Sequence, residues 1–322
     1  MSVSTVEVLD LEPAASDFLA EALAGLRSSP RTLPSKFFYD ERGSDLFQEI
    51  CELPEYFITR TETEILRAHG AEMAESIGEN AELVGFGTGA GVKTRMLLEH
   101  LQNPIAYVPV DISKQRLIES AEDLSREMPT LEVLPVCADY LQPLRLPTPS
   151  RTPDHIAVYF PGSTIGNLEP AVARHFLERV CRLSGHSGGL IIGVDLQKSR
   201  EVLEAAYNDS AGVTAAFNLN LLVRANRELD ADFALSAWRH RAVYNSGLGR
   251  IEMHLLSEKE QTVHVGDQEF HFQSGEKIIT EYSYKHTVEG FAALAASAGF
   301  RLSHTWTDPQ QLFAVFHFVT QA

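Results

Sequence analysis

The segment Leu83-Val84-Gly85-Phe86-Gly87-Thr88-Gly89-Ala90-Gly91-Val92-Lys93-Thr94-Arg95 constrains the fold more than any other part of the chain. Apolar residues run into a cluster of glycines, and a helix-compatible stretch follows. This is the pattern of a strand turning tightly into a helix beside a nucleotide. Glycine tolerates positive φ and lets a ligand approach the backbone where a Cβ would collide. A tight turn with no ligand satisfies the same pattern. A second strand pattern, Tyr107-Val108-Pro109-Val110-Asp111, ends in an acid about 20 residues past the loop, where a carboxylate can hold a ribose diol.

Glycine spacing discriminates between ligands. Gly87, Gly89 and Gly91 form G-x-G-x-G, whereas a dinucleotide loop wants its third glycine one residue later, where Val92 stands. A pyrophosphate at the helix N-terminus is disfavoured, and a phosphate-free nucleoside cofactor such as S-adenosylmethionine (SAM) fits better. A third strand pattern, Val133–Tyr140, ends in Asp139, which could accept a hydrogen bond from an adenine amino group beside the Tyr140 ring. Taken alone, Asp139 reads equally as an acid that starts or caps a loop.

The 322 residues suffice for one or two domains with a large core, and the apolar and charged fractions, 44% and 22%, are those of a globular protein. A net charge of −17 opposes nonspecific binding to nucleic acid. The first residues lack a secretory pattern, and no apolar run approaches the roughly 18 residues of a membrane span. The expectation is a cytoplasmic monomer with a small-molecule partner, no nucleic acid and no membrane. Cys51, Cys137 and Cys181 are far apart and the histidines form no paired-ligand spacing, so reduced thiols and no metal are expected.

From Thr61 to Arg200 helix and strand patterns alternate. Thr61-Glu62-Thr63-Glu64 reads as a capping box opening a helix that Gly78 stops, and Ser113 as the cap of a helix ended by Pro129. Continuous apolar runs at 156–160 and 190–194 suit strands buried on both faces. Such alternation predicts a parallel sheet. The pattern breaks at 208–285, which mixes a helix near 211–226 with β-like runs. A helix at 288–298 and two strands joined by Thr307-Asp308-Pro309 follow, and so short a connection makes that pair antiparallel. The expected architecture is α/β: a Rossmann-like sheet with a terminal antiparallel strand pair in one domain (61–207 and 286–322), and a mixed α+β substrate domain (1–60 and 208–285). A cleft between them is the expected ligand site.

The whole chain resembles the histidine Nα-methyltransferases of ergothioneine biosynthesis, class I SAM-dependent enzymes that convert L-histidine to its trimethylated betaine, hercynine. The resemblance rests on five stretches in order: Leu53–Glu62, Lys93-Thr94-Arg95, Phe160–Leu168, Ala211–Asn218 and Thr280–Lys285. It implies that Gly87, Gly89, Lys93, Asp111, Asp139 and Tyr140 form the SAM pocket. By the same resemblance, Asn167 and Tyr207 hold the substrate carboxylate with Thr214 close by, Glu281 and Ser283 read the imidazole, and Met253 walls it. Tyr39 and Tyr56 resemble tyrosines near the reacting amine, and Phe47 a lining residue. The chain departs from the family at Gly85, where an acid is usual.

Methyl transfer to an amine needs an unprotonated nucleophile, so a tyrosine such as Tyr39 or Tyr56 could orient the amine or relay its proton. Hydrophobic packing with a satisfied hydroxyl is the simpler role for both. Asn167 follows the fourth strand, so its amide can project into the cleft; a turn asparagine is the simple alternative. Residues two apart on a strand face the same way, so Glu281 and Ser283 can reach one ring. A solvated face with Glu281 paired to a lysine is the alternative, as core filling is for Met253. Read this way, the chain takes histidine and its mono- and dimethylated forms. An Nα-methyltransferase for an indole amino acid is the nearest alternative, and a nicotinamide-dependent oxidoreductase a more distant one.

Overall fold

The computed structural model describes residues 8–11, 18–87 and 91–321. In chain order the first elements are β1 (Leu9–Asp10), α1 (Phe18–Arg27), α2 (Glu41–Cys51), α3 (Phe57–Ile77), β2 (Ala81–Phe86), α4 (Val92–Leu98), β3 (Ala106–Asp111) and α5 (Lys114–Glu127). There follow β4 (Glu132–Val133), β5 (Val136–Cys137), β6 (His155–Phe160), α6 (Pro170–Ser184), β7 (Gly189–Asp195), α7 (Arg200–Tyr207) and α8 (Val213–Glu228). The last are β8 (Trp238–Asn245), β9 (Arg250–Ser257), β10 (Gln261–Val265), β11 (Gln268–Phe272), β12 (Lys277–Tyr284), α9 (Val288–Ser297), β13 (Phe300–Thr307) and β14 (Phe313–Thr320).

These elements form two compact units. One takes Met1–Ala15, Thr61–Leu196 and His286–Ala322, the other Ser16–Arg60 and Gln197–Lys285. The first is a sheet in the order β1-β5-β3-β2-β6-β7-β14-β13, with β4 also on β3. Pairing is parallel from β1 to β7, and β14 runs antiparallel to both β7 and β13. Every residue of β2 and β7 is buried, as both-face coverage of a parallel sheet requires. Phe86, Phe160, Phe176, Phe291, Phe316 and Phe318 fill one face beside α6 and α9. Strand β2 lies between β3 and β6, so the chain order reverses there and the turn after β2 stands at the switch point, where open α/β sheets bind ligands. This is the expected Rossmann-like sheet with its terminal antiparallel strand pair.

In the second unit β12, β9 and β8 form an antiparallel sheet, with a separate β10–β11 hairpin. Helix α8 packs against α2 and β8. Phe38 stacks on Phe217 with ring centroids 4.5 Å apart.

Several local expectations differ from the structure. Helix α3 starts at Phe57, four residues before the expected cap, so Thr61 and Glu62 lie inside it and are buried. Ser113 occupies the N-cap of α5, but its side chain makes no capping bond; its backbone N–H donates to Asp111 Oδ1 at 2.8 Å. The run 133–140 is not one strand. Pro135 has no N–H to give the ladder, which divides into β4 and β5, and Asp139 stands two residues beyond the end of β5. The units also divide differently from the expected domains. Residues 197–207 belong to the second, and β1 joins the first because Leu9 and Asp10 pair with Val136 and Cys137.

Gly193 in β7 is a tightly packed position of the first unit. A Cβ there would overlap Glu62 Oε1 and lie 2.9 Å from the Phe313 ring. Gly193→Ala should therefore cost about 1–3 kcal/mol through overpacking. Urea unfolding followed by circular dichroism measures it, and an unchanged midpoint would refute the packing argument.

Candidate functional site

In the first unit, the turn after β2 begins at Gly87 with φ of 55°, a conformation that favours glycine, and its N–H donates to Val110 O at 3.1 Å. A Cβ at Gly87 would lie 3.6 Å from the Tyr140 ring, so the strand end and the loop after β5 approach each other across a glycine. Gly89 lies outside the described residues. Gly91 caps α4 with φ of 73°. The Tyr140 ring stacks on Phe86 at 5.7 Å and meets Phe160 at 5.5 Å, and burial raises its pKa.

Asp111 ends β3. Burial raises its carboxyl pKa against the opposing Ser113 N–H bond and the nearby Arg116 charge. Asp139 Oδ1 accepts the Leu141 N–H at 2.8 Å, so this acid does cap its own turn. Each carboxylate uses one oxygen in this way. Asn167 ends a 3-10 turn, Thr164–Asn167, at the carboxyl end of β6 and is half-buried. Gly85 sits in the middle of the ladder, opposite Pro109 and Tyr159.

Lys93, one residue into α4, pairs with Glu62 from α3. The Glu62 side chain has no exposed surface, and its Oε2 also accepts the Gly162 N–H at 2.9 Å. The structure thus adds Glu62 to the residues around the expected cofactor loop. The sequence reading used it as part of a helix cap.

The second unit gathers most of the expected substrate residues. Tyr39 meets Phe47 edge-on at 5.5 Å, Phe47 meets Tyr56 at 6.4 Å, and Tyr56 meets Tyr207 at 6.4 Å. Phe217 lies 5.8 Å from Tyr39 and 6.1 Å from Phe47. Tyr39 is 44% exposed and Tyr56 only 8%. Burial, with further contributions from Tyr207, Cys51, Tyr39 and Glu281, pushes the Tyr56 hydroxyl well above its ordinary pKa. It remains a protonated phenol at neutral pH and can donate or relay.

Glu281 and Ser283 both stand on β12, opposite Met253 and Ile251 of β9, so Met253 is the cross-strand neighbour of Glu281. Ser283 and Met253 are buried and Glu281 half-buried. Burial pushes the Glu281 carboxyl up to about 7, against the opposing pull of Lys285. Ser283 Oγ accepts from Tyr207 Oη at 2.9 Å and from Lys285 Nζ at 2.8 Å, and Lys285 Nζ also donates to Tyr207 Oη at 3.0 Å. Tyr207, expected to act on a carboxylate, thus lies against the expected ring reader. Lys285 was absent from the sequence-derived site. The alternation Glu281-x-Ser283-x-Lys285, which puts all three on one side of an extended chain, was the available signal.

A second layer fixes this group. The His240 ring meets Tyr207 O through Nε2 at 2.8 Å, and a carbonyl only accepts, so Nε2 carries the proton. Nδ1 then accepts from Asn218 Nδ2 at 2.8 Å, while Asn218 Oδ1 accepts from Thr280 Oγ1 at 2.7 Å. Burial keeps His240 neutral by lowering its pKa. Thr214 is buried in the first turn of α8, where its N–H donates to Asp209 Oδ1 at 2.8 Å. Among the described residues no His, Cys, Asp or Glu cluster suits a metal ion. Nor is any described helix long and apolar enough to cross a membrane.

Removing Glu62 would leave the Lys93 ammonium and the Gly162 N–H without this acceptor in a buried setting. Glu62→Ala should cost about 3–5 kcal/mol, the scale for breaking a buried pair. Denaturant titration should also show a smaller loss for Glu62→Gln, whose amide oxygen still accepts.

A family model described as a histidine-specific, SAM-dependent methyltransferase matches residues 18–320. The chain is 41% identical over 315 residues to the histidine N-alpha-methyltransferase of Mycolicibacterium smegmatis, covering 96% of this chain and 97% of that one. It is 40% identical to the protein of the same name from Mycobacterium tuberculosis, with 89% and 90% covered. Ergothioneine biosynthesis protein 1 of Neurospora crassa is 30% identical over 87% of this chain, which spans 32% of that longer protein. With its glycine turn at the switch point of a parallel sheet and a model match across nearly its whole length, the chain belongs to the histidine-specific, SAM-dependent methyltransferase family.

Proposed function

We propose that this chain transfers three methyl groups in turn from SAM to the α-amino group of L-histidine, giving hercynine for ergothioneine synthesis. The observation that carries this reading is the convergence of Glu281, Ser283, Tyr207 and Tyr56 in one unit. A carboxyl group poised near neutrality stands there beside a buried hydroxyl and aromatic rings.

The first unit fits the cofactor. Gly87 leaves open the approach a side chain would fill, Asp111 ends β3 where a ribose can be held, and Asp139 and Tyr140 stand at the adenine end. Lys93 serves the methionine end, and Glu62 keeps the Lys93 side chain in place. When bound, SAM supplies an electrophilic methyl carbon on a sulfonium. The protein then has to bind, orient and deprotonate.

Glu281 accepts from the ring N–H when ionised, and Ser283 faces the other ring nitrogen. Tyr207, with Thr214 in the same unit, serves the substrate carboxylate, a role also proposed for Asn167 of the first unit. Met253 and Phe47 exclude water from the ring and the amine. Tyr56 and Tyr39 orient the amine and pass its proton toward solvent, the more exposed Tyr39 being the outer member. Such proton transfer contributes about 10²–10⁴-fold. Site groups made to hydrogen-bond a ring reject rings lacking those atoms by about 10⁴–10⁵. In this reading the working form is a cytoplasmic monomer whose partners are histidine and its partly methylated forms. The −17 charge disfavours nucleic acid.

Mass spectrometry of the protein incubated with histidine and SAM should show three successive methyl additions, and no addition would refute the proposal. Glu281→Ala should raise KM for histidine strongly and leave S-adenosylhomocysteine binding unchanged. Because the Glu281 carboxylate forms only above about 7, kcat/KM for histidine should fall as the pH drops through that value. Glu281→Gln should lose that limb and retain the titration of the substrate imidazole near its ordinary value of about 6.5.

A further inference from the structure

We infer that Lys285 sets the hydrogen-bond polarity of the ring site: it makes Ser283 an obligatory donor, so that the site selects a ring with an acceptor nitrogen. This rests on the reading of Glu281 and Ser283 as ring contacts. Lys285 is a positioning residue here, acting through Ser283.

A lysine ammonium donates only, and a serine hydroxyl has one proton and two lone pairs. Lys285 Nζ donates to Ser283 Oγ at 2.8 Å, and Tyr207 Oη donates to the same oxygen at 2.9 Å. Both lone pairs are taken. The Ser283 proton is therefore directed out of the Tyr207–Lys285 pair, and whatever it meets must accept. Lys285 Nζ also donates to Tyr207 Oη, at 3.0 Å, so the tyrosine oxygen accepts from the lysine while its proton goes to Ser283. The three side chains are only 3–7% exposed, so water does not readily scramble this order.

On the same side of the extended chain, Glu281 offers the opposite polarity once ionised. One donor and one acceptor match a neutral imidazole in a single tautomer. An indole brings an N–H but no acceptor, and would leave the Ser283 proton buried and unmet. Without Lys285, Ser283 and Tyr207 could each donate or accept, and the site would lose its preference.

Calorimetry on the full chain saturated with S-adenosylhomocysteine tests this with three ligands. These are histidine, thiazolylalanine (an acceptor nitrogen but no ring N–H) and thienylalanine (no ring nitrogen). The wild type should bind thiazolylalanine at least about tenfold tighter than thienylalanine, the effect of one satisfied buried hydrogen bond. In Lys285→Met this ratio should fall to within about threefold, with S-adenosylhomocysteine affinity changed less than about twofold. A purely structural role would weaken both ligands together and preserve the ratio, which would overturn the inference. Equal binding of the two analogues by the wild type would overturn it without any variant.

If Lys285→Met does not fold, Tyr207→Phe should narrow the ratio and Ser283→Ala should abolish it. A wild-type ratio in both would be fatal to the inference. Failure of histidine itself to bind the wild type would instead overturn the proposed function, and this inference with it.

Discussion

A carboxylate with no exposed surface organises the first unit. Glu62 leaves water only because Lys93 and the Gly162 N–H replace its hydration, and such a burial is tolerated when the geometry is complete. Three separate parts of the chain depend on it: α3 supplies the acid, the first turn of α4 supplies the cation, and the turn after β6 supplies the N–H. Gly193 is small because the Glu62 carboxylate occupies the space beside β7. The carboxyl ends of β2 and β6 are thereby tied at the point where the sheet order reverses.

The second unit relies on a different device. Its polar side chains are arranged so that donor and acceptor roles are forced in sequence, from Thr280 through Asn218 and His240 to the backbone of Tyr207. The aromatic side chains around Tyr56 supply bulk and exclude water, while this chain of hydrogen bonds holds the backbone of Tyr207. A neutral His240 is required at its centre, since a second ring proton would face the Asn218 amide donors. Burial supplies that neutrality.

Much of the sheet was legible in the sequence because buried parallel strands leave long apolar runs, and β2, β3, β6 and β7 all did. The terminal pair was legible from the short connection at Thr307-Asp308-Pro309. The third strand was misread because its apolar pattern continues through Pro135, where the ladder cannot. Thr61-x-x-Glu64 resembled a cap, yet Phe57 and Ile58 extend the helix backward by giving it an earlier buried turn. At the candidate site, Glu281 and Ser283 were readable from their spacing. The importance of Lys285 and Glu62 was not, because a buried charge has the same local signature as an exposed one. Their surroundings come from residues 31 positions away for Glu62 and 78 for Lys285.

The pairing of Leu9 and Asp10 with Val136 and Cys137 has a practical side. β1 covers a sheet margin that would otherwise offer bare N–H and C=O groups, the usual starting point for edge-to-edge association. Shortened versions beginning after residue 11 would expose that margin together with the Cys137 thiol. Handling such material under reducing conditions and at low concentration would therefore matter more than for the intact polypeptide.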